Sequence, residues 1–370
     1  QQYNAAYSVM PSSPVCTLFA FFRFNSVTQH DPSDVSMRRS HADYRSLKKS
    51  GTKIPHRFAD LSAKIKLAFY PLGGLKDGRR CGKIDIYSVF CHHGKDCGAA
   101  NRKTETGANA VRVLFVGDVV SEIGCDFLMR TMPQMKKKHN IDFCIVNGEN
   151  SALGNGITPA SCDIILSAGA DAVTGGNHTF RRAEFYEILD RSFTPAIRPA
   201  NVHRSAPGVG YTVLSRGGLR LGVINLLGAS FMDMRVSDPF DCLDAVLDEL
   251  KADGVTCSVV DFHAEATGEK RALGFYADGR ISALIGTHTH VPTADAQILP
   301  KGTAYITDVG MTGPIQSVLG VEAQCVIKKL RTGLPVRFTN PSGPCSMCCA
   351  VIEIDNKSGK AVSIESYEIK

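Results

Sequence analysis

No apolar run in the sequence approaches the roughly 20 residues that a membrane-spanning helix needs, although 44% of the 370 residues are hydrophobic. No membrane association is expected. The longest early apolar stretch, VCTLFAFF at residues 15–22, has neither a basic leader nor a small-residue cleavage site. No secretion signal is read from it, and a cytoplasmic protein is expected. Gln1 stands where a start Met would, which leaves a start upstream of it open. Paired CxxC knuckles at structural-zinc spacing are missing: Cys81, Cys91, His92, His93 and Cys97 form no such pattern, nor do Cys345, Cys348 and Cys349. The 13 cysteines are odd in number and irregularly spaced, and Cys144 and Cys257 sit inside apolar runs, as reduced, buried thiols do. There is no internal repeat. An excess of basic residues is confined to one segment. Residues 1–110 hold 17 Lys+Arg against 8 Asp+Glu, and residues 111–370 hold 25 against 28. The net charge of +6 is thus +9 in the first segment and −3 in the rest, so the basic excess belongs to the first segment alone, and no stable nucleic-acid complex is expected of the rest.

Residues 1–110 show no persistent helical or strand periodicity and close on the linker-like KTETGANA. They read as a basic extension, either disordered or upstream sequence translated as protein. The pattern changes at Val111. VRVLFVGDVV is a continuous apolar run, the mark of a strand buried on both faces. A helix is expected over 122–139, ending in the cations KKKH. DFCIVNGEN and ADAVTGGNH read as strands, with a helix opened by Thr158-Pro159 between them. RAEFYEILDRS reads as a helix, and GYTVLSRGGLRLGVINLLG as a hairpin turning at Gly217-Gly218. PFDCLDAVLDELKADG is a helix, TCSVVDFHAEAT a strand, EKRALGFYADG a helix, and RISALIGTHTH and TAYITDVG are strands. A helix near 321–331 precedes a β-rich end, VRF, CCAVIEID and AVSIESYEI. Alternating strands and helices followed by hairpins predict an α/β layered domain with mixed sheets over residues 111–370.

Polar residues gather where these strands end. The first ends in Gly117-Asp118, the second in Glu149-Asn150 and the third in Asn177-His178. A later strand carries Asp261 and His263, and the next ends in His288-Thr289-His290. The C-terminal edge of an α/β sheet is where sites are built. In a strand, alternate residues face one side, so both imidazoles of the H-x-H pair are expected to point into one site. Asp118, Glu149, Asn150, Asn177, His263, His288 and His290 offer oxygen and imidazole donors without thiolate, a set suited to iron, manganese or zinc. Seven ligands are too many for one tetrahedral ion. They suit two ions sharing a carboxylate bridge, which would clamp an in-line phosphoryl displacement by a hydroxide held between them. His178 is placed to protonate the leaving alkoxide as general acid.

GDVV, NGEN, GGNHT, DFHAEAT, GTHTHVPTAD and YITDVGMTGP, in this order, resemble the calcineurin-like metallophosphoesterases, and within them the YmdB-type cyclic-nucleotide phosphodiesterases. The resemblance covers residues 111–370. It implies a four-layer αββα sandwich, a di-iron or di-manganese centre, and hydrolysis of 2′,3′-cyclic nucleotides to 3′-nucleotides. It also implies roles: Asp118, Asn150 and His290 on the first ion, Glu149 bridging, Asn177, His263 and His288 on the second, and His178 as proton donor. Val120 stands where the wider superfamily has a histidine, and Asn150 takes that place, as in the subfamily. Phe180 and Arg181 stand where the subfamily has Trp and Asp, and Ser121 and Glu122 where it has Gly and a small residue; these bear on substrate preference. Three alternatives stay open: an amidohydrolase, a phosphomonoesterase or nuclease on the same centre, and a non-catalytic scaffold. A homo-oligomer is also left open.

Overall fold

A computed structural model describes residues 110–192 and 194–370. The basic extension, VCTLFAFF, the Cys81–Cys97 group and all of KTETGANA but Ala110 lie outside the described residues.

In chain order the elements are β1 (Ala110–Val116), β2 (Asp118–Val119), α1 (Ser121–His139), β3 (Phe143–Asn147), α2 (Pro159–Ser167) and β4 (Ala172–Thr174). After a single 3-10 turn (Ala183–Phe185) come α3 (Tyr186–Leu189), β5 (Tyr211–Arg216), β6 (Leu219–Leu227), α4 (Pro239–Ala252), β7 (Cys257–His263), α5 (Thr267–Ala277) and β8 (Ala283–Thr287). The last are β9 (Gln297–Ile298), β10 (Ala304–Ile306), β11 (Met311–Pro314), α6 (Ala323–Thr332), β12 (Cys345–Asp355) and β13 (Ala361–Ile369).

Side-chain alternation builds the layers. Val111, Val113 and Phe115 of β1 face one way, Leu114 and Val116 the other, and all five are buried. A strand of this kind needs cover on both faces. One sheet runs β2-β11-β12-β1-β3-β4 with β13 added to β12; the other runs β5-β6-β7-β8-β10-β9. Both are mixed: in the first, β1, β3 and β4 pair in parallel while β1 and β12 are antiparallel. In the second, β6, β7 and β8 are parallel while β5 and β6 are antiparallel. The sheets face each other across Val111, Val113, Phe115, Ile145, Val223, Val259, Ile285 and Ile352. Behind the first sheet, Leu114 and Val146 pack on Leu128 and Met132 of α1 and Ile165 of α2. Behind the second, Val260 and Phe262 pack on Leu243 and Leu250 of α4 and Leu273 of α5. Three apolar seams between four layers make the αββα sandwich that the sequence implied.

Local signals hold at most boundaries. Thr158 caps α2 by accepting the Ser161 N–H, with Pro159 in the first turn. Lys136, Lys137, Lys138 and His139 occupy the last turn of α1. Three expectations need correction. RAEFYEILDRS forms only a 3-10 turn and the one-turn α3, with Phe185, Ile188 and Leu189 held in the core. TAYITDVG ends as a strand at Ile306, where the chain leaves one sheet for the other and turns at Gly310 (φ 92°) before β11 joins β2 and β12. VRF is not a strand: Pro335, Pro341 and Pro344 flank it, and proline cannot donate to a ladder.

Candidate metal centre

The inter-sheet face changes character toward the C-terminal ends of the strands. Along β7, Cys257 and Val259 lie in the apolar seam, while the next residues on that face are Asp261 and His263. On β3 the same face runs Phe143, Ile145, Asn147. The site begins where the apolar seam stops.

Its floor is a buried polar layer. The Asp261 carboxylate is wholly buried and accepts bonds from Asn147 Nδ2 (2.9 Å), the Thr174 hydroxyl and Thr287 Oγ1 (2.7 Å). Burial pushes the Asp261 pKa up to about 6, against the opposing pull of His263 and the two hydroxyls. The Thr287 hydroxyl has one proton, given to Asp261, so it accepts from His263 Nδ1 (2.9 Å). His263 Nε2 then turns inward, 3.2 Å from Glu149 Oε1 and 3.1 Å from Asn177 Oδ1.

The other two imidazoles follow the same rule. His290 Nδ1 donates to the Leu319 carbonyl (3.0 Å), which leaves Nε2 facing Asn150 Nδ2 (3.2 Å) and Asp118 Oδ1 (3.8 Å). His288 Nε2 meets the Glu265 carboxylate (3.2 Å), which leaves Nδ1 facing His263 Nε2 (3.0 Å). His263 and His290 are thus hydrogen-bonded on their outer nitrogens, His288 has Glu265 beside its own, and each presents the inner nitrogen to a common space. Donor atoms of Glu149, His263 and His288 lie within 4.8 Å of one another. Asp118 Oδ1 is buried there with no hydrogen-bond partner, although its Oδ2 accepts the His288 N–H at 3.2 Å. An unsatisfied buried carboxylate oxygen is costly. Asp118 Oδ1 lies 3.8 Å from His290 Nε2, next to the Glu149, His263 and His288 donors, and such a set of oxygens and imidazoles fits a hard or borderline cation.

The electrostatics agree. Burial disfavours a charge on His263, but Glu149 and Asp118 outweigh it and raise its pKa to about 9. Burial and the neighbouring His263 push His288 down to about 3. Burial acts against the Glu149 charge, yet His263 and His178 hold its pKa well below the usual carboxylate range. Burial raises that of Asp118, despite His290 and His263.

All eight residues singled out in the sequence come together here. His178 sits beside Glu149 and Asn150: its N–H bonds Glu149 Oε2 (3.0 Å), and Nδ1 lies 2.9 Å from Asn150 Oδ1. The strand picture of the H-x-H pair needs correction. β8 ends at Thr287, and His288 and His290 have φ of 102° and 66°, so a left-handed turn, not strand alternation, aims the rings. Gly176 is obligatory: a Cβ would lie 2.1 Å from Glu149 Oε2 and 2.4 Å from His263 Nε2. Glu265 was missed, although an acid two residues beyond a ligand histidine, in DFHAE, was the available signal. A cleft of about 580 Å³ opens over the site, with Glu149, Asn150, His178, Glu265, Arg337 and Phe338 in its walls.

A model of the YmdB-like protein family matches residues 114–367. The chain belongs to that family. Over 255 residues, 69% of this chain and 96% of the other, it is 47% identical to a Bacillus subtilis 2′,3′-cyclic-nucleotide 2′-phosphodiesterase. Two solved structures superpose with TM-scores of 0.66. One is a hypothetical protein from Thermus thermophilus, at 40% identity over 70% of this chain and 98% of that one. The other is a novel phosphatase from Mycoplasma pneumoniae, at 33% identity over 70% and 94%. The fold is therefore that of the metallophosphoesterases. Among the described residues no helix is long and apolar enough to cross a membrane.

Proposed function

We propose that the chain is a metal-dependent phosphodiesterase that opens 2′,3′-cyclic nucleotides, such as 2′,3′-cAMP, to 3′-nucleotides. One observation carries the reading: three imidazoles turn their inner nitrogens inward, His263 Nε2 and His288 Nδ1 beside Glu149 and His290 Nε2 beside Asp118, whose Oδ1 is buried without a hydrogen-bond partner. The similarity to the Bacillus subtilis phosphodiesterase supports the substrate class.

Asp118, Asn150 and His290 would hold one ion and Asn177, His263 and His288 a second, with Glu149 between them. Iron or manganese suits this donor set best, and zinc is the alternative. When bound, the pair supplies Lewis acidity toward the phosphoryl oxygens and an activated water as nucleophile. The chain's own groups do the rest. Asp261 and Thr287 fix the His263 ring, and Leu319 and Glu265 fix the other two. Asn150 lies between Glu149 Oε1 (2.9 Å) and His178 Nδ1 (2.9 Å). A carboxamide has a donor end and an acceptor end. The donor end faces Glu149, and the acceptor end, with Glu149 Oε1 at 3.2 Å, takes the Nδ1–H of His178 and fixes that ring. The opposite nitrogen, Nε2, would then be the one to pass a proton to the departing ribose oxygen. Every described cysteine is a free thiol, which suits a reducing, cytoplasmic setting.

Phosphomonoester hydrolysis at the same centre is the second reading, favoured by likeness to the Mycoplasma pneumoniae phosphatase. Purified protein loaded with Mn²⁺ is to be assayed against 2′,3′-cAMP, a nitrophenyl phosphodiester and a nitrophenyl monoester. The proposal expects 3′-AMP from the first and slow turnover of the monoester. Preference for the monoester would install the second reading, and no turnover of any substrate by metal-loaded protein would overturn both.

A further inference from the structure

Backbone preference opposes the turn that carries His288 and His290. Two non-glycine residues one apart, at φ of 102° and 66°, occupy the left-handed region that side chains disfavour. Such a turn persists only where its surroundings dictate it. The surroundings here include a wholly buried ion pair. Lys270, from α5, is 0% exposed, and its Nζ donates to the Thr287 carbonyl at 2.8 Å and to Asp308 Oδ2 at 2.9 Å. Asp308, 1% exposed, accepts the Thr289 N–H on Oδ2 at 3.0 Å and the Gly310 N–H on Oδ1 at 2.9 Å. The cation thus holds the carbonyl just before His288, and the anion holds the amide just after it. Neither residue lines the cleft.

A buried ion pair contributes little net stability over an apolar pair of similar volume. It does supply a strong, directional donor and acceptor in a place no water reaches. We propose that the Lys270–Asp308 pair is a positioning device for the metal-ligating turn, and that it sets the affinity of the centre for the ion on His288. This rests on the two-ion reading above.

The test replaces both partners with apolar residues, Lys270→Met with Asp308→Leu, so that no lone charge is left buried. Mn²⁺ binding is measured by calorimetry and elemental analysis, and melting is followed on metal-free protein. The metal-free melting temperature should fall, because the Thr287 carbonyl and the Thr289 and Gly310 N–H groups lose their side-chain partners, but the variant should still melt cooperatively. Affinity for one of the two Mn²⁺ ions should fall at least tenfold. In turnover, kcat at limiting Mn²⁺ should drop and recover with excess Mn²⁺, with KM for the diester unchanged. A folded double variant that binds two Mn²⁺ ions as tightly as the parent overturns the proposal. Should the double variant not fold, Lys270→Met with Asp308→Asn, which likewise leaves no lone charge but keeps an oxygen for the Thr289 N–H, decides. A severalfold loss of Mn²⁺ affinity supports the proposal, and an unchanged affinity overturns it. A parent protein that takes up no metal at all would instead overturn the two-ion reading, and this inference with it.

Discussion

His178 can be tested apart from the proposed ions. It contacts Glu149 and Asn150; as a proton donor and not a ligand, it should be replaceable, so His178→Ala should keep both metals by elemental analysis. Turnover should fall by about 10²–10⁴ on a nucleoside diester, whose alkoxide needs a proton, and far less on a nitrophenyl ester. Loss of metal in that variant would make it a ligand instead. Glu265, half-exposed beside His288 Nε2, is expected to steady that ring. Glu265→Gln should weaken Mn²⁺ binding by roughly 10-fold, as loss of an outer partner of a metal-bound histidine does; equal affinity would contradict this role. The proton on His263 gives a pH test. Its pKa near 9 lies above the unfolded value of 6.5. The attraction to Glu149 and Asp118 therefore stabilises metal-free protein fully below about pH 6.5 and is lost as pH rises through 9. A cation must displace that same proton, so Mn²⁺ affinity should climb over the same window, with proton release seen by calorimetry in buffers of differing ionisation enthalpy. A flat pH dependence would exclude His263 as a ligand.

Among the elements, the short parallel strands and capped helices were legible in the sequence because each is dictated locally. Val111, Val113 and Phe115 alternate with Leu114 and Val116, and Thr158-Pro159 opens α2 whatever surrounds it. The convergence of the candidate ligands was legible for the same reason: glycine and metal-capable side chains cluster where β1, β3, β4, β7 and β8 stop. The turn at His288 was not, because nothing in THTH announces a left-handed backbone. Lys270 and Asp308, which hold it, lie 17 residues before Thr287 and 19 after Thr289. α3 failed for a related reason, since its ends are fixed by core packing that no local pattern records. Gly176 offers a test at this scale. Gly176→Ala drives a methyl into Glu149 and His263, so the variant should lose metal binding even where it folds, as elemental analysis would record. Retention of both ions would mean that β4 can shift to make room.

For the whole molecule, the sandwich depends on the seam between the sheets. Phe115 is wholly buried in it, and Phe115→Ala should cost about 3–5 kcal/mol in urea unfolding. A cost under about 1 kcal/mol would mean that the seam is loosely filled. Family likeness begins at residue 114, so removing residues 1–109 is expected to leave diester turnover and the melting temperature nearly unchanged. A collapse of either would give that segment a part in the domain.

The candidate ligands divide between the two sheets. Asp118, Glu149, Asn150 and Asn177 come from the first, and His263, His288 and His290 from the second. Loaded cations would therefore act as rivets through the mouth of the sandwich, resisting any sliding of one sheet over the other. Amide hydrogens in β3 and β7, on opposite sides of the joint, should then slow their exchange with deuterium in step as metal is added.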